Sequence, residues 1–562
     1  MDDSPRSAPR WGKIQDWSAR HPYWALTLLT VAALLPFLTK PFNLDDPIFI
    51  WAAQQIQLHP GNPYGFYVNW YGATEPMWAA TQNPPLFCYY LALAAGIFGF
   101  SEIGLHTACL LPTIAVVLGT FRLAQKFCRW PMFAALATLF APVFLISSTT
   151  VMSDVPMLAG WIWAVVFWVE GIRQNNFRKL ALAGILTALT VLTKYNGLCL
   201  LPLLAAYAWL EKKSVGRWSF YLLIPLLALG VSEWITYQLY GQAHFLYANQ
   251  YSAANQAFHG GAKLFKAFIA LTFTGGGFAL ALFCAPFLWS RRQLLLLIFG
   301  TLLCVALAFT AGMMPAYFSW FTGNLRLGVE AEIIFWTVGG VGVLALAAEE
   351  MLKKRDTDSW LLALWVLGTF AFGAFVYWMV NGRTLLPMAP AVAILLARRL
   401  EQNRESLSAG IKISLVASAA LSLLVAQADF QLATADRKGA EEICAKYAAH
   451  PGKIWFEGHW GFQYYMQSLG AWPVDIYNSQ LHPGDILVLG FSNASVWPPT
   501  TEQAAMLELF IEPAGAWLTT FNHDAGAGFY SQNFGPLPFF VGVIPPEKFA
   551  AYICRQPAEQ PH

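Results

Sequence analysis

Three aspartates stand at the ends of long apolar runs, where a carboxylate can reach both water and lipid. Asp45 and Asp46 follow the first run in FNLDDPIFIW, and Asp154 lies in TTVMSDVPML. A carboxylate at such a boundary could accept a proton from a substrate hydroxyl. The same residues also suit helix starts: acidic side chains favour helix N-termini, Pro47 follows the pair, and Asp154 could be an N-cap.

Isolated cations and one amide occur at similar positions. Lys194 lies in LTKYNGL, Arg383 in NGRTLLPMAP, Arg326 in a later loop, and Asn83 in TQNPPLF. Arginine suits planar recognition of phosphate, although an arginine at a helix end can also extend its head group to the membrane interface. Ionisable groups at membrane depth are costly unless paired or hydrated. Carboxylates and cations gathered on one membrane face therefore predict a functional site.

The composition predicts that membrane helices position these residues. The 562 residues are 57% hydrophobic and only 12% charged, with a net charge of +2, whereas soluble domains carry about 25% charged residues. No basic face or tail indicates nucleic-acid binding. The eight cysteines form no CxxC pair and no cluster with histidine. We expect a polytopic α-helical membrane protein.

The distribution of lysine and arginine predicts the topology. Basic residues mark cytoplasmic loops; here they cluster in every second loop, and none occurs at 41–121 or 130–172. Thirteen spans then fit, with the N-terminus inside and the C-terminus outside. Their starts lie near residues 22, 107, 131, 156, 180, 198, 218, 267, 293, 331, 360, 384 and 411. In this topology 84–100 lies at the outer interface; the alternative is that it spans and a later helix does not.

Three regions are predicted. Residues 1–21 form a cytoplasmic tail, 22–427 a transmembrane region with a large first outer loop at 41–105, and 428–562 an extracytoplasmic α/β domain. That domain should contain a helix at 436–450 and strands at KIWFE, DILVLGF and AWLTTF. Its two cysteines, Cys444 and Cys554, could be bridged or free. TGGGFALA at 274–281 lacks the Lys-Ser/Thr of a phosphate loop and indicates close helix packing.

The ordered set of short motifs resembles a known family. The acidic pair after the first span, PPL before an aromatic run, SDVPML, LTK and RTLLP occur in that order. Together they resemble GT-C fold membrane glycosyltransferases, in particular the protein O-mannosyltransferase and aminoarabinose transferase branch (glycosyltransferase family 39 and relatives). The resemblance covers roughly residues 20–400 and implies a GT-C-like fold for the transmembrane region.

The resemblance also implies an activity and residue roles. Such enzymes move a sugar from a polyprenyl-phosphate donor to an acceptor hydroxyl outside the cytoplasmic membrane, usually with inversion. It implies that Asp45 is the base, that Asp46 and Asp154 orient the acceptor or hold a cation, and that Arg383 and Lys194 bind the donor phosphate. The acceptor is a glycan, lipid or protein. A divalent cation stays open as a cofactor, but none is predicted, since relatives work without one.

The chain departs from the family pattern at two points. Asn83 stands where a phosphate-binding lysine is usual, and no arginine follows the acidic pair. Arg383, Lys194 or Arg326 would have to compensate. Two other functions therefore stay open: a lipid or sugar transporter or flippase, and a catalytically silent accessory protein. Ionisable groups on one face with apolar span centres favour the enzyme, because transporters carry broken helices at mid-membrane.

Overall fold

The protein is largely helical. A computed structural model describes residues 17–258, 263–310, 323–402, 404–493 and 496–555. The α-helices within these ranges are Pro22–Leu34, Asp46–Leu58, Met77–Ala80, Leu86–Phe98, Glu102–Phe127, Pro131–Leu139, Pro142–Ser148, Asp154–Gln174, Phe177–Thr193, Leu200–Lys212, Leu223–Tyr240, His244–Phe258, Lys263–Gly277, Ala279–Phe283, Ala285–Leu288, Arg291–Thr310, Gly323–Lys354, Thr357–Ala371, Gly382–Leu385, Ala389–Leu400, Ala409–Lys446 and Trp460–Ser468.

Each apolar run identified in the sequence contains one of these helices. Six of the described helices are long and apolar enough to cross a membrane, or seven if the bent pair Pro131–Leu139 and Pro142–Ser148, which meet at 60°, is one span. A multi-span helical protein is thereby confirmed, while the number thirteen and the orientation stay predictions. Helix Leu86–Phe98 has only 13 residues. At about 1.5 Å per residue it is shorter than the roughly 30 Å hydrocarbon layer.

Local sequence determines where several helices begin. Ser101, Asp356 and Ser408 each accept a hydrogen bond from the backbone N–H three residues later, as N-cap residues do. Proline opens the helices that begin at 22, 131 and 142, where its missing N–H costs nothing. These six helices therefore begin where local sequence favours a helix start.

The predicted close packing at the glycine run is confirmed. A Cβ atom on Gly275 would lie 1.7 Å from the Trp336 carbonyl oxygen, and one on Gly340 would lie 2.0 Å from the Leu271 carbonyl oxygen. Helices Lys263–Gly277 and Gly323–Lys354 therefore touch backbone to backbone, as small residues permit.

The described strands form one five-stranded sheet and three small pairs. The strands are β1 Tyr67–Asn69, β2 Thr74–Pro76, β3 Ile454–Glu457, β4 Trp472–Pro473, β5 Ile486–Gly490, β6 Ala504–Glu512, β7 Leu518–Thr519, β8 Phe521–Asn522, β9 Ala527–Gly528, β10 Phe540–Val541 and β11 Glu547–Cys554. The large sheet has the order β4-β3-β5-β11-β6. β3 is parallel to β4 and β5, and β11 is antiparallel to β5 and β6. The strands predicted at KIWFE and DILVLGF are β3 and β5.

The helix predicted at 436–450 is the end of a longer one. Helix Ala409–Lys446 has 38 residues, roughly 57 Å at 1.5 Å per residue, nearly twice the hydrocarbon thickness. The predicted boundary at 427/428 lies inside this helix because the helical pattern continues where the apolar character ends. Cys444 and Cys554 are both free and buried, and they belong to different hydrophobic clusters.

Candidate functional site

Four separate elements contribute charged side chains to one cluster. Asp45 precedes helix Asp46–Leu58, and Asp154 is the first residue of helix Asp154–Gln174. Lys194 follows helix Phe177–Thr193, and Arg383 lies in the short helix Gly382–Leu385. All four residues were singled out from the sequence, and the fold brings them together. They are called the Asp45 cluster below.

The Asp45 cluster is a chain of alternating charges. The Arg383 Nη1 atom lies 2.7 Å from Asp45 Oδ2 and 3.8 Å from Asp154 Oδ2. The Lys194 Nζ atom lies 2.5 Å from Asp154 Oδ1. The Asp45 side chain is 33% exposed, whereas those of Asp154, Lys194 and Arg383 are 1%, 12% and 11% exposed. Asp45 is therefore the member of the cluster that most readily meets a substrate from outside.

Two polar atoms of the Asp45 cluster lack hydrogen-bond partners within the described structure. They are Asp154 Oδ2 and Arg383 Nε, and both atoms are buried. The guanidinium carbon lies 5.6 Å from the centre of the Tyr530 ring, and the Nη1 atom, which also pairs with Asp45, lies 3.0 Å from Met152 Sδ. Buried polar atoms are nearly always paired. Asp154 Oδ2 can still accept a hydrogen bond and Arg383 Nε can still donate one, so the pair suits a polar ligand.

Asp46 is placed differently from Asp45. It is fully buried, and its carboxylate accepts hydrogen bonds from the backbone N–H groups of Asn43 at 2.9 Å and Val151 at 2.8 Å. Burial raises the pKa of Asp46 to about 7, against the effect of Lys40 and these two N–H groups. Asp46 thus ties the segment before Asp154 to the loop that carries Asp45.

A second buried ion pair, which the sequence analysis missed, lies beside the cluster. Lys40 Nζ is 2.5 Å from Asp429 Oδ2, and both side chains are 1% exposed. Lys40 also donates to the Thr149 carbonyl at 3.1 Å. Thr520 and Tyr530 donate their hydroxyls to Asp429 at 2.6 and 2.7 Å. Two features of the sequence could have indicated this pair. Lys40 ends the first apolar run and is followed by a long stretch without basic residues, and Asp429 lies in the last apolar helix.

The segment that contains Asn83 is connected to the neighbour of Lys194 by hydrogen bonds through His244. The Asn83 carbonyl accepts from the Tyr64 hydroxyl at 2.8 Å. Two residues earlier, the Thr81 carbonyl is 3.0 Å from His244 Nε2, and His244 Nδ1 is 2.8 Å from the hydroxyl of Tyr195, the neighbour of Lys194. Burial lowers the pKa of His244 to about 4, so the ring is neutral at pH 7. No side-chain contact between Asn83 and the Asp45 cluster is found within the described residues.

Arg326 lies in helix Gly323–Lys354, but its side chain falls outside the described part of the chain. Its predicted role in phosphate binding stays a prediction. The same holds for the donor-binding and catalytic roles of the other candidate residues, for which the structure supplies positions and contacts.

Aromatic side chains lie next to the Asp45 cluster. The Tyr251 hydroxyl lies 3.2 Å from that of Tyr71, and the Tyr251 and Trp378 rings are 6.1 Å apart. Burial, Glu75 and, to a smaller extent, Asp45 raise the pKa of Tyr251. Burial also raises the pKa of Glu75 to about 7. Aromatic faces next to carboxyl groups suit a sugar, whose C–H face packs on rings while its hydroxyls bind oxygen atoms.

The described residues include no group of three His, Cys, Asp or Glu side chains arranged to hold a metal ion. Asp45 and Asp154 each have an arginine or lysine nitrogen within 3 Å. These cations would compete with a divalent ion for the same oxygen atoms. The residues present therefore fit an anionic or hydroxylated ligand better than a metal.

Comparisons with known proteins agree with the motif resemblance. Residues 82–237 match the family model described as dolichyl-phosphate-mannose-protein mannosyltransferase. This match confirms the resemblance to membrane glycosyltransferases of the GT-C type over that part of the chain. No curated protein sequence matches the chain.

Several solved structures are similar at low identity. One is the oligosaccharyltransferase AglB from Archaeoglobus fulgidus, with an inhibitory peptide and a dolichol-phosphate (TM-score 0.42, 14% identity, 85% of this chain and 70% of that one). Another is ArnT from Cupriavidus metallidurans bound to undecaprenyl phosphate (TM-score 0.42, 14% identity, 84% and 93%). A third is the mycobacterial arabinofuranosyltransferase AftD (TM-score 0.39, 14% identity, 95% and 40%).

Proposed function

We propose that this protein is an inverting membrane glycosyltransferase. It transfers a sugar from a polyprenyl-phosphate donor to an acceptor hydroxyl on the outer side of a cytoplasmic (inner) membrane. The observation that carries the proposal is the Asp45 cluster, in which a carboxylate that is one-third exposed lies 2.7 Å from an arginine that is 11% exposed. The family match at 82–237, which ends before Arg383 and begins after Asp45, supports the same class of reaction independently.

The reaction is a single displacement. The acceptor oxygen attacks the anomeric carbon and gives its proton to the Asp45 carboxylate, while the bond from that carbon to the phosphate oxygen breaks. The leaving group is polyprenyl phosphate. Because the leaving phosphate gains negative charge, a fixed cation that binds it more tightly in the transition state lowers the barrier.

Arg383 supplies that cation. Its guanidinium has an unpartnered Nε atom, and an arginine can present two N–H groups to one phosphate. A donor phosphate that engages Arg383 would compete with Asp45 for the guanidinium and release the carboxylate for the proton. Donor binding would therefore prepare the base. Lys194 holds Asp154 in place and adds positive charge near the phosphate.

Asp46 and Asp154 have supporting roles in this scheme. Asp46 holds the backbone at 43 and 151, and so fixes the distance between the two loops. Asp154 Oδ2, which is buried and unpartnered, can accept a hydroxyl of the acceptor or of the transferred sugar. Tyr251, which lies near Asp45, and Trp378 offer an aromatic face for the sugar.

The test compares two aspartate variants in lipid nanodiscs supplied with a panel of undecaprenyl-phosphate sugars. Asp45→Asn removes the base but keeps the side-chain size, and we expect transfer to fall by about 10²–10⁴-fold. Asp358→Asn is the matched control, because Asp358 pairs with Arg173 near the opposite end of helix Asp154–Gln174. Product formation is followed by mass spectrometry. Wild-type transfer rates in Asp45→Asn would exclude Asp45 as the base.

The same preparation separates the alternatives. A transporter or flippase would move the lipid-linked sugar across the bilayer without cleaving it, and an accessory protein would do neither. Mass spectrometry of lipid that copurifies with the wild-type protein identifies the donor. Cleavage of that lipid that depends on Asp45 supports the transferase.

A further inference from the structure

The five-stranded sheet has a strand order at which open α/β sheets often bind ligands. β3 is flanked by β4 on one side and by β5 on the other, and all three are parallel. After β3, the chain first forms β4 on one side of β3 and then crosses to form β5 on the other side. In open α/β sheets, ligands bind outside the carboxyl ends of the strands at such a reversal. The sequence analysis assigned no role to this domain.

A cavity of about 360 Å³ lies at this edge of the sheet. It begins directly after β5, at Phe491, and includes Lys548 at the start of the neighbouring antiparallel strand β11. Its volume falls in the range of roughly 300–1,000 Å³ that is usual for small-molecule sites. We call it the C-terminal cavity; it is lined by Phe491, Ser492, Asn493, Asn522, His523, Asp524, Phe534, Pro545, Pro546 and Lys548.

Buried groups behind the C-terminal cavity hold its polar wall rigidly. Asn493 accepts from the His459 N–H at 2.7 Å and donates to the His459 carbonyl at 3.1 Å, which joins the ends of β3 and β5. The carboxyl group of Glu547, which is 4% exposed, lies close to Ser492 and Asn522, and both side chains favour its charged form. A wall fixed in this way can discriminate between ligands without the cost of ordering it.

The lining combines rings with polar groups of balanced charge. Phe491 is 42% exposed, and Phe534 packs against Phe521 with ring centres 4.1 Å apart. One carboxylate, Asp524, and one ammonium group, Lys548, line the same space. Rings suit the C–H face of a sugar, and carboxylate, ammonium and amide groups suit its hydroxyls. Because the two charges cancel, the cavity does not select for phosphate or for another strongly charged ligand.

We propose that the C-terminal cavity is a binding site for a neutral saccharide, and that it holds part of a glycan acceptor. The role in acceptor binding rests on the proposed function, whereas the binding of a saccharide does not. Residue Asn522 of the cavity lies two positions after Thr520, whose hydroxyl binds Asp429, the partner of Lys40. A glycan held in the cavity is thereby linked through a short, buried stretch of protein to the loop that carries Asp45.

The experiment measures saccharide binding to the full chain in nanodiscs without donor. The probes are maltotriose, mannotriose and N,N′,N″-triacetylchitotriose, observed by saturation-transfer difference NMR, with glucose 6-phosphate as the charged comparison. We expect at least one trisaccharide to bind. Phe491→Ala and Asp524→Ala, both at exposed positions, should each weaken that binding about tenfold. Glu502→Ala, an exposed carboxylate outside the cavity, should leave it unchanged.

The outcomes separate this proposal from the proposed function. Asp45→Asn should bind the same trisaccharide with unchanged affinity. Absence of binding by all three probes, binding insensitive to both cavity variants, or tighter binding of glucose 6-phosphate would each overturn the proposal, whatever the transfer assay shows. Binding that depends on the cavity in a protein that transfers no sugar would keep the cavity and reject the glycosyltransferase.

Discussion

Helix Asp154–Gln174 carries a buried carboxylate at each end, and the two are treated differently. Near the C-terminal end, Glu170 is surrounded by three cations: Arg122 at 3.0 Å, Lys126 at 2.8 Å, and Lys179. At the N-terminal end, Asp154 has one close cation on one oxygen, while its other oxygen is 3.8 Å from Arg383. Glu170 therefore has three cations within 3.0 Å, whereas Asp154 has one.

The difference is consistent with the proposed substrate site at the Asp154 end. Surplus cations around Glu170 are those expected at a cytoplasmic helix end, where lysine and arginine gather, and they complete a structural contact. Both ends have a buried carboxylate oxygen without a hydrogen bond, Glu170 Oε1 and Asp154 Oδ2. Two cations lie within 3.0 Å of Glu170 Oε1, whereas the Arg383 Nη1 atom lies 3.8 Å from Asp154 Oδ2 and the Arg383 Nε atom has no hydrogen bond. A fold tolerates such atoms where a substrate completes the set.

The largest expected effect at the Asp154 end is on stability. Lys40→Met should destabilise the protein by about 3–5 kcal/mol, because it leaves the Asp429 carboxylate buried without its cation. The double variant Lys40→Met/Asp429→Leu removes both charges and should recover much of that loss. Thermal unfolding in nanodiscs measures both. If the double variant is no more stable than the single one, the ion pair is not what holds the last long helix to the first loop.

The next effect is on catalysis. Arg383→Lys keeps the charge but removes the planar pair of donors, so we expect transfer to fall by about 10²–10³-fold. The KM for the donor should rise more than that for the acceptor. The stability should change little, since a lysine can still pair with Asp45. Equal rises in both KM values would contradict a role at the donor phosphate.

A smaller effect is expected at the opposite end of the same helix. Glu170→Gln should lower the free energy of unfolding by about 1–2 kcal/mol, because its three cations are partly exposed and keep water. Transfer rates per folded molecule should match those of the wild type. A loss of activity in the folded fraction would contradict the distinction between the two ends.

The smallest effect concerns Asn83. Asn83→Lys restores the lysine that the family pattern has at this position. Because the connection between this segment and Lys194 runs through His244 and Tyr195, the added charge should change the donor KM by less than about fivefold, as for a partly exposed charge. Asn83→Gln is the neutral control. A much larger drop in KM for the lysine variant would place Asn83 at the phosphate.

The sequence predicted much of the Asp45 cluster but little of its surroundings. Asp45, Asp154, Lys194 and Arg383 could be found because each is an ionisable residue at the end of an apolar run, where charge is costly. Asp46 was indistinguishable from its neighbour, since only the fold shows that its carboxylate points at two backbone N–H groups. Tyr530 and Thr520 could not be found, because their partners lie 91 residues or more away along the chain.

The fold was predictable to a similar extent. Hydropathy located the long apolar helices of the described residues, because burial in lipid imposes a strong and local pattern. It did not locate the shorter helices Asp46–Leu58 and His244–Phe258. It did not show that helix Ala409–Lys446 continues past residue 427, since a polar helix follows an apolar one without a breaker such as proline or glycine at the junction. The strand order of the large sheet depends on long-range pairing and has no local signal.

This uninterrupted helix limits how the chain can be recombined. The part of it that follows residue 427 supplies Asp429, which neutralises Lys40 from the first loop. A truncation at 427, or a chimera that joins residues 1–427 to the C-terminal region of another protein, would leave the buried Lys40 ammonium group without its carboxylate partner. The part of the chain that carries Lys40 and the part that carries Asp429 must therefore be exchanged together in any chimera.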